Sequence, residues 1–424
     1  MNKNFLALGL AAALLAPQVA GAEGFAINEW SAEGVAMGGA RMFAEDDAAN
    51  VAYNPASITK VKGEVMKSSY TYLSPHGSYK LYDSNNDEIK GEPTHNKVHA
   101  GWAVGSYYVR QINDKEWFGI GAFPRFAMVS EFERASKAST NAFFSKLNGV
   151  SVTPTYAHKF DKKWSAAVGA EINYVGLELQ KNLVIPTAGV NGTTQIEGES
   201  YALGWNAAAN YAFDDKNEIG VVYRSRIKHS LEADLKGYGT KSPASPLVGS
   251  NDVFGNAYGV VTLPDSWDIG YNHKFDKKTR LELKATRTNW STYDALNVYF
   301  DKSLVGIPGI AESSPSAKNW SNGWRYAIGL EHNFSDKYAA MAGFAFDESS
   351  IPHDGGDFMV PTGLRRTYSI GARYNDKKQT VAVALGWMDV GTLDFAGHAT
   401  DAYKSAHAYD SFTKIASISY QRKF

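Results

Sequence analysis

Apolar and polar residues alternate along most of this chain with a period of two. Trp164, Ala166, Val168, Ala170, Ile172 and Tyr174 alternate with Ser165, Ala167, Gly169, Glu171 and Asn173. Trp324, Tyr326, Ile328, Leu330 and Phe334 alternate with Arg325, Ala327, Gly329, Glu331 and Asn333, with His332 the one polar interruption on the apolar side. Val381, Val383, Leu385 and Trp387 repeat the pattern, as do Ile219, Val221, Tyr223 and Ile227 against Gly220, Val222, Arg224, Arg226 and Lys228. Successive side chains of a strand point to opposite faces, so these runs predict strands with one apolar face. Short polar turns are expected near 111–115, 161–163, 214–217, 276–279, 335–337 and 375–379. Long connections are expected at 73–96, 131–146, 181–199, 235–260, 291–321, 349–362 and 390–411. Short and long connections alternate throughout, and the runs between them number fourteen. An even set of strands with short turns on one side and longer loops on the other predicts an all-β fold, a transmembrane antiparallel β-barrel of the outer-membrane kind. A soluble sandwich would rarely need strands this long or so many aromatics at strand ends. The uneven spacing of Phe160, Phe213, Phe275 and Phe334 argues against a solenoid.

The short turns share one motif. HKFDKKW begins at His158 and HKFDKKT at His273, with looser copies YAFDDKN from Tyr211, HNFSDKY from His332 and RYNDKKQ from Arg373. Asp and Lys give a solvated turn, and the preceding Phe or Tyr suits an interfacial aromatic belt on the periplasmic side. The last strand, Thr413 to Phe424, closes the chain on an aromatic residue. Such an ending resembles the signal by which the outer-membrane assembly machinery takes up a barrel, which makes Phe424 its expected contact.

Composition narrows the reading further. The chain has 424 residues, formal net charge −1, 24 Tyr, 21 Phe, 10 Trp and no Cys. That balance gives no bulk attraction to nucleic acid. Stability must come from strand pairing and packing, because no disulfide is available. Residues 1–22 read as a signal peptide, with Lys3, an apolar core from Phe5 to Leu15, and Ala20-Gly21-Ala22 at the cleavage site. Beyond it no apolar run is long enough for a transmembrane helix.

Residues 23–63 lack period two and are rich in Gly and Ala. With an even strand count both ends of the barrel, residues 64–424, lie on the periplasmic side, so this segment can fold back into the lumen as a hatch. Eight strands fill a barrel with side chains and sixteen leave a channel, so fourteen strands leave room for a plug. Asn54-Pro55-Ala56 supplies a rigid turn within it. GFAINEWSAEGVAMGGA and DDAANVAYNPASITK resemble the hatch of the FadL family of outer-membrane transporters for long-chain fatty acids and other hydrophobic molecules. The similarity continues through GWNAAANYAFDDKNEIGVVYRSRIK, LPDSWDIGYNHKF and WRYAIGLEHNFSDKYAAMAGFAFDESSIP. The resemblance implies fourteen strands around an internal hatch.

It also implies capture at the external loops, binding in the lumen, rearrangement of the hatch and sideways release through a kink in the third strand. That strand reads WFGIGAFPRFAMVSEF, with Gly121, Phe123 and Pro124 at the expected opening. Proline cannot donate to a ladder, and a closed barrel has no edge on which to hide it. In the hatch, Phe25, Asn54, Pro55 and Ala56 are the expected working residues. A ligand carboxylate would need a basic partner. The lumen candidates by alternation are Arg224, Arg226 and Arg325, with Lys318 near the mouth, although such charges also pair structurally inside barrels. Val184, Ile185, Pro186, Pro246, Leu247 and Val248 are apolar loop residues suited to a small capture groove. The expected surroundings are outer-membrane lipid and lipopolysaccharide, and an internal hatch suits a monomer. No catalytic cluster, metal-ligand spacing or cofactor motif stands out. Uptake of aromatic hydrocarbons, an open porin and a surface adhesin are the competing functions.

Overall fold

The alternation closes into a single wall. The computed structural model describes residues 24–92, 95–98, 100–185, 190–239, 252–301, 313–398 and 401–424. The signal segment, Pro186, Pro246, Leu247 and Val248 lie outside these residues, as do the side chains of Val184 and Ile185. The strands are β1 (Glu64–Tyr82), β2 (Gly101–Gln111), β3 (Glu116–Phe123, resuming at Ala127–Glu131), β4 (Phe144–Lys159), β5 (Trp164–Ile185) and β6 (Val190–Ala212). They continue as β7 (Asn217–Arg224 and Ile227–Gly239), β8 (Asp252–Leu263 and Ser266–Lys274), β9 (Thr279–Thr288 and Ala295–Phe300) and β10 (Ser313–Ala317 and Gly323–Asn333). The wall finishes with β11 (Tyr338–Asp347), β12 (Arg365–Asn375), β13 (Gln379–Val390) and β14 (Ser405–Lys423). Each strand pairs antiparallel with the next, and β14 returns to β1 from Val65↔Lys423 to Tyr82↔Ser405. The result is a closed fourteen-strand antiparallel barrel, as the alternation of connections predicted.

Lipid-facing positions carry the apolar set. Val168, Ile172, Leu203, Ile269, Leu283, Ile370, Val383 and Leu385 are exposed on the outside, while Asn173, Asn206, Asp268, Glu282 and Glu331 on the opposite faces are buried. The outer surface is hydrophobic because its solvent is lipid, and polar residues turn inward.

Several expectations about the external side change, for β1 and β14 stay paired as far as Tyr82↔Ser405 and the strands of 235–260 as far as Asp252↔Tyr238. Residues 181–185 and 190–199 are strand and not loop, because β5 and β6 remain paired as far as Ile185↔Val190. Residues 291–321 likewise contain strand segments at Ala295–Phe300 and Ser313–Ala317. Beyond the membrane both faces of a hairpin meet water, so the ladder persists while the hydrophobic period fades.

Residues 24–63 lie inside the wall as helix α1 (Ala32–Ala36), helix α2 (Asn50–Tyr53) and a 3-10 helix, Pro55–Lys60. Ser31 caps α1 by accepting from the Gly34 amide at 3.1 Å. Almost every residue from Phe25 to Val61 is buried, mostly against the inward faces of the barrel.

Candidate functional site

The wall is broken at β3. Phe123 pairs with Ser151 and Ala127 with Asn148, so residues 124–126 of β3 face only 149–150 of β4. One extra residue makes this a bulge, and Pro124 has no amide to restore the ladder. The ladder to β2 ends at Ser106↔Ala122. Among the described strands, the outer half of β3, Ala127–Glu131, therefore forms a ladder with β4 alone, and Gly101–Gly105 of β2 has no strand partner on that side.

The start of the hatch occupies this gap from within. Ala26 and Phe126 form an antiparallel bridge. The Ile27 amide donates to the Arg125 carbonyl at 2.8 Å, and the Ala127 amide donates to the Phe25 carbonyl at 2.9 Å. Trp30 Nε1 donates to the Pro124 carbonyl at 2.5 Å. Residues 24–30 thus act as a short inner strand, termed here the arm.

The Phe25 ring anchors the arm. It is 1% exposed and meets Trp290 at 4.7 Å between centroids, Tyr293 at 5.5 Å, Trp320 at 5.8 Å and Phe126 at 6.0 Å. Trp290 and Tyr293 reach it because β9 leaves the wall at residues 289–294 and turns inward as a 3-10 turn. Phe123, 2% exposed, packs on Trp30 at 5.3 Å and Tyr107 at 6.0 Å. A Cβ on Gly121 would sit 2.9 Å from the Tyr107 ring and 3.0 Å from Val51 of α2, so only glycine lets the hatch come this close.

The rest of the hatch is bolted to the wall. Lys67 of β1 bridges Glu33 at 2.7 Å and Asp47 at 2.9 Å, while Arg41 joins Asp47 at 3.0 Å to Glu331 of β10 at 3.2 Å. Burial opposes the charge on Asp47, but Lys67 and Arg41 outweigh it and hold its carboxyl below the ordinary range. Glu29, in the arm, is the opposite case: burial outweighs the pull of Arg325 and lifts its carboxyl above the ordinary value. Asn54 closes α2 and starts the 3-10 helix, with Pro55 at its first position. Asn54 Oδ1 accepts from the Ala56 amide at 3.1 Å, and its Nδ2 donates to Asn210 Oδ1 of β6 at 2.7 Å. The Ala56 carbonyl accepts from Ser165 Oγ at 3.3 Å. Asn54-Pro55-Ala56 therefore docks the hatch on β5 and β6, far from the arm in sequence.

The candidate cations all have acidic neighbours. Arg224 pairs with Asp268 at 2.5 Å and also donates to the Ala52 carbonyl of the hatch. Arg325 pairs with Asp347 at 2.6 Å and donates to the Gly38 carbonyl at 2.9 Å. Lys318 is buried against Asp357, two residues from the cage residue Trp320. Arg226 departs from the expected lumen position. Arg224 pairs with Asn206 and Glu232 with Glu199, so residues 225–231 face only 200–205. This second bulge shifts the inward face to Ile227, and the Arg226 side chain is left 61% exposed beside Asp265.

Strand alternation could not flag several residues. Tyr293 and Trp320 fell in a presumed loop, Trp290 stood at its edge, and Trp30 lay in a segment without period. Arg125 follows Pro124 and pairs with Glu171 at 2.7 Å, both buried. Next to the arm an apolar cavity of about 70 Å³ is lined by Val129, Phe132, Phe358, Met359 and Met388. Ligand sites commonly enclose roughly 300–1,000 Å³, so this cavity is too small to enclose a ligand.

This plugged barrel has counterparts. Residues 13–424 match the model of a family described as outer membrane protein transport protein (OMPP1/FadL/TodX). The chain belongs to this family. It is an outer-membrane transport protein and not an enzyme. The long-chain fatty acid transport protein of Escherichia coli K12 is 22% identical over 421 residues, covering 90% of this chain and 91% of that protein. Outer membrane protein P1 of Haemophilus influenzae is 23% identical, covering 88% and 86%. Among solved structures, a Pseudomonas aeruginosa FadL homologue superposes with a TM-score of 0.83 at 18% identity, covering 95% of this chain and 100% of that one. The Pseudomonas putida toluene transporter TodX gives 0.69 at 16% identity, covering 94% and 99%. At these identities the structural likeness concerns the fold.

Proposed function

We propose that this FadL-family barrel carries hydrophobic molecules across the outer membrane, with long-chain fatty acids the leading substrate. Ligand is captured at the external side, held in the outer lumen, and released sideways into the membrane past Gly121, Phe123 and Pro124. The observation that carries this reading is the arm: the one segment that fills the aromatic cage also closes the gap at β3. A ligand entering the cage must displace the Phe25 ring, and the Phe25 and Ile27 backbone bonds to β3 are lost with it. The relatives named for fatty-acid transport support the substrate class. Lys318 is the preferred partner for a ligand carboxylate, taken over from Asp357, because it adjoins the cage. Arg224 and Arg325 hold the hatch body instead, as their bonds to Ala52 and Gly38 indicate. Within the hatch, residues 32–60 stay seated by their ion pairs while residues 24–30 move. The cage of Trp, Tyr and Phe favours aromatic hydrocarbons as the second substrate class. The protein acts as a monomer surrounded by lipid and lipopolysaccharide, and the exposed Phe424 presents the closing strand to the assembly machinery.

The chain has no cysteine, so a single disulfide can lock the arm. Ala26 and Phe126 face each other across an antiparallel bridge, a spacing suited to a disulfide. Cells lacking their own hydrophobe transporter and expressing Ala26→Cys with Phe126→Cys should take up labelled oleate only after reduction. Equal uptake in the oxidised and reduced states, with the disulfide verified, would rule out gating by the arm. A protein that admits labelled toluene but never oleate would move the substrate to hydrocarbons.

A further inference from the structure

The repeated turn is not explained by gating. All six periplasmic turns share one geometry. A side-chain oxygen of Asn113, Asp161, Asp214, Ser335, Asp276 or Asp376 accepts from the amide of a lysine two residues on. Three of the turns carry two lysines and a single carboxylate: Asp161 with Lys162 and Lys163, Asp276 with Lys277 and Lys278, and Asp376 with Lys377 and Lys378. These lie at β4–β5, β8–β9 and β12–β13, every fourth strand of the wall.

In each of the three the carboxylate accepts from backbone amides of its own turn. Asp161 accepts from the Lys163 and Trp164 amides, both at 2.7 Å; Asp276 from Lys278 at 2.7 Å and Thr279 at 2.8 Å; Asp376 from Lys378 and Gln379, both at 2.8 Å. Those amides hold all three carboxyls below their ordinary value. All six lysines are exposed, and none has a carboxylate within ion-pair distance among the described residues. Neighbouring lysines behave differently: Lys274 pairs with Glu45 at 3.0 Å, and Lys423 pairs with Asp46. Depth is set by the aromatics just before each turn. Phe160 and Phe275 are 58% and 52% exposed on the outer wall and stack edge-on with His158 and His273, while Tyr374 packs on Tyr338. Rings at the membrane boundary leave lysines two or three residues further on at headgroup depth.

We infer that the three dilysine turns form a collar that binds the phosphates of anionic phospholipids in the inner leaflet of the outer membrane. Phosphate supplies the ion-pair partner that the six lysines do not find among the described residues, and the position on the wall's hairpin turns places the ammonium groups among lipid headgroups. Such contacts fix the depth of the barrel and keep its periplasmic end toward the phospholipid leaflet. The proposal is independent of the transported substrate.

The test uses the purified full barrel in neutral detergent, given equal amounts of phosphatidylglycerol and phosphatidylcholine, with bound lipids counted by native mass spectrometry. The wild type should retain phosphatidylglycerol about tenfold over phosphatidylcholine, since each lysine near an anionic surface contributes a factor of several, and salt should erode the preference. Replacing Lys162, Lys163, Lys277, Lys278, Lys377 and Lys378 by Gln should abolish it, and replacing them by Arg should preserve it. The caps use backbone amides, so heat-modifiable gel mobility should report a folded barrel in both variants. No preference in the wild type, or an undiminished one in the folded Gln variant, overturns the proposal. So does a Gln variant that loses binding to purified peptidoglycan while its lipid preference is unchanged.

Discussion

Replacing Phe25 by Ala isolates the contribution of the arm. The ring is fully enclosed by Trp290, Tyr293, Trp320 and Phe126. Emptying such a site costs about 3–5 kcal/mol. The arm keeps its three hydrogen bonds to the β3 break, through Ile27, Ala127 and Trp30, worth roughly 1 kcal/mol each, and its bonds to Arg365, Thr71 and Tyr107. Removing the ring should therefore raise the undocked population by about 10²–10⁴-fold. Hydrogen exchange with mass spectrometry on the detergent-solubilised barrel reads this directly. Peptides covering residues 25–31 and the Ala127 amide should lose protection together, by the same factor. Peptides covering 47–60 should keep theirs, because Lys67, Arg41 and Asn54 hold that part of the hatch to other strands. Unchanged protection at Ala127 in Phe25→Ala would refute the coupling between cage and wall. Equal loss across residues 47–60 would refute the division into arm and body.

Two further outcomes follow from the same geometry. A Cβ at Gly343 would lie 2.2 Å from the Met37 carbonyl carbon and the Gly38 amide nitrogen. Gly343→Ala should therefore unseat α1, at a cost of about 1–3 kcal/mol or more because backbone must shift, and expose the hatch to protease while the barrel stays heat-modifiable. The arm and the body should also answer pH in opposite senses. Glu29 has a raised folded value, so its contribution to docking is full below pH 4.5 and fades as pH rises through that raised value. Asp47 has a depressed folded value, so its contribution is full above pH 3.8 and fades as pH falls through that depressed value. Protection factors corrected for intrinsic exchange should rise for the arm on mild acidification and fall for the body only below about pH 4. A body that loosens between pH 7 and 5 contradicts the assignment.

The sequence by itself determined the wall. Period two is a local property of a strand between lipid and lumen, so Val168, Ile172, Val383 and Leu385 announced their outward face without reference to any neighbour. The turn motif marked five of the six periplasmic hairpins, and a short polar run near 111–115 the sixth, because such caps act within three residues. Pro124 marked the break in β3, since a missing amide is a defect in any ladder. What fills that break was not legible. The arm meets residues 125–127 and 290–320, about a hundred to three hundred positions away, and no local period encodes so distant a contact. Arg226 shows the same limit on a smaller scale: alternation placed it in the lumen, and one bulge residue against β6 turned it outward. Tyr293 and Trp320 looked like loop residues because a wall that bends inward loses its hydrophobic period where it becomes part of the site. Strand faces follow from the solvent on each side of one segment, which the sequence states directly. The docking of the arm at the β3 break follows from which segments meet once fourteen strands have closed around the hatch, and only the tertiary structure decided that.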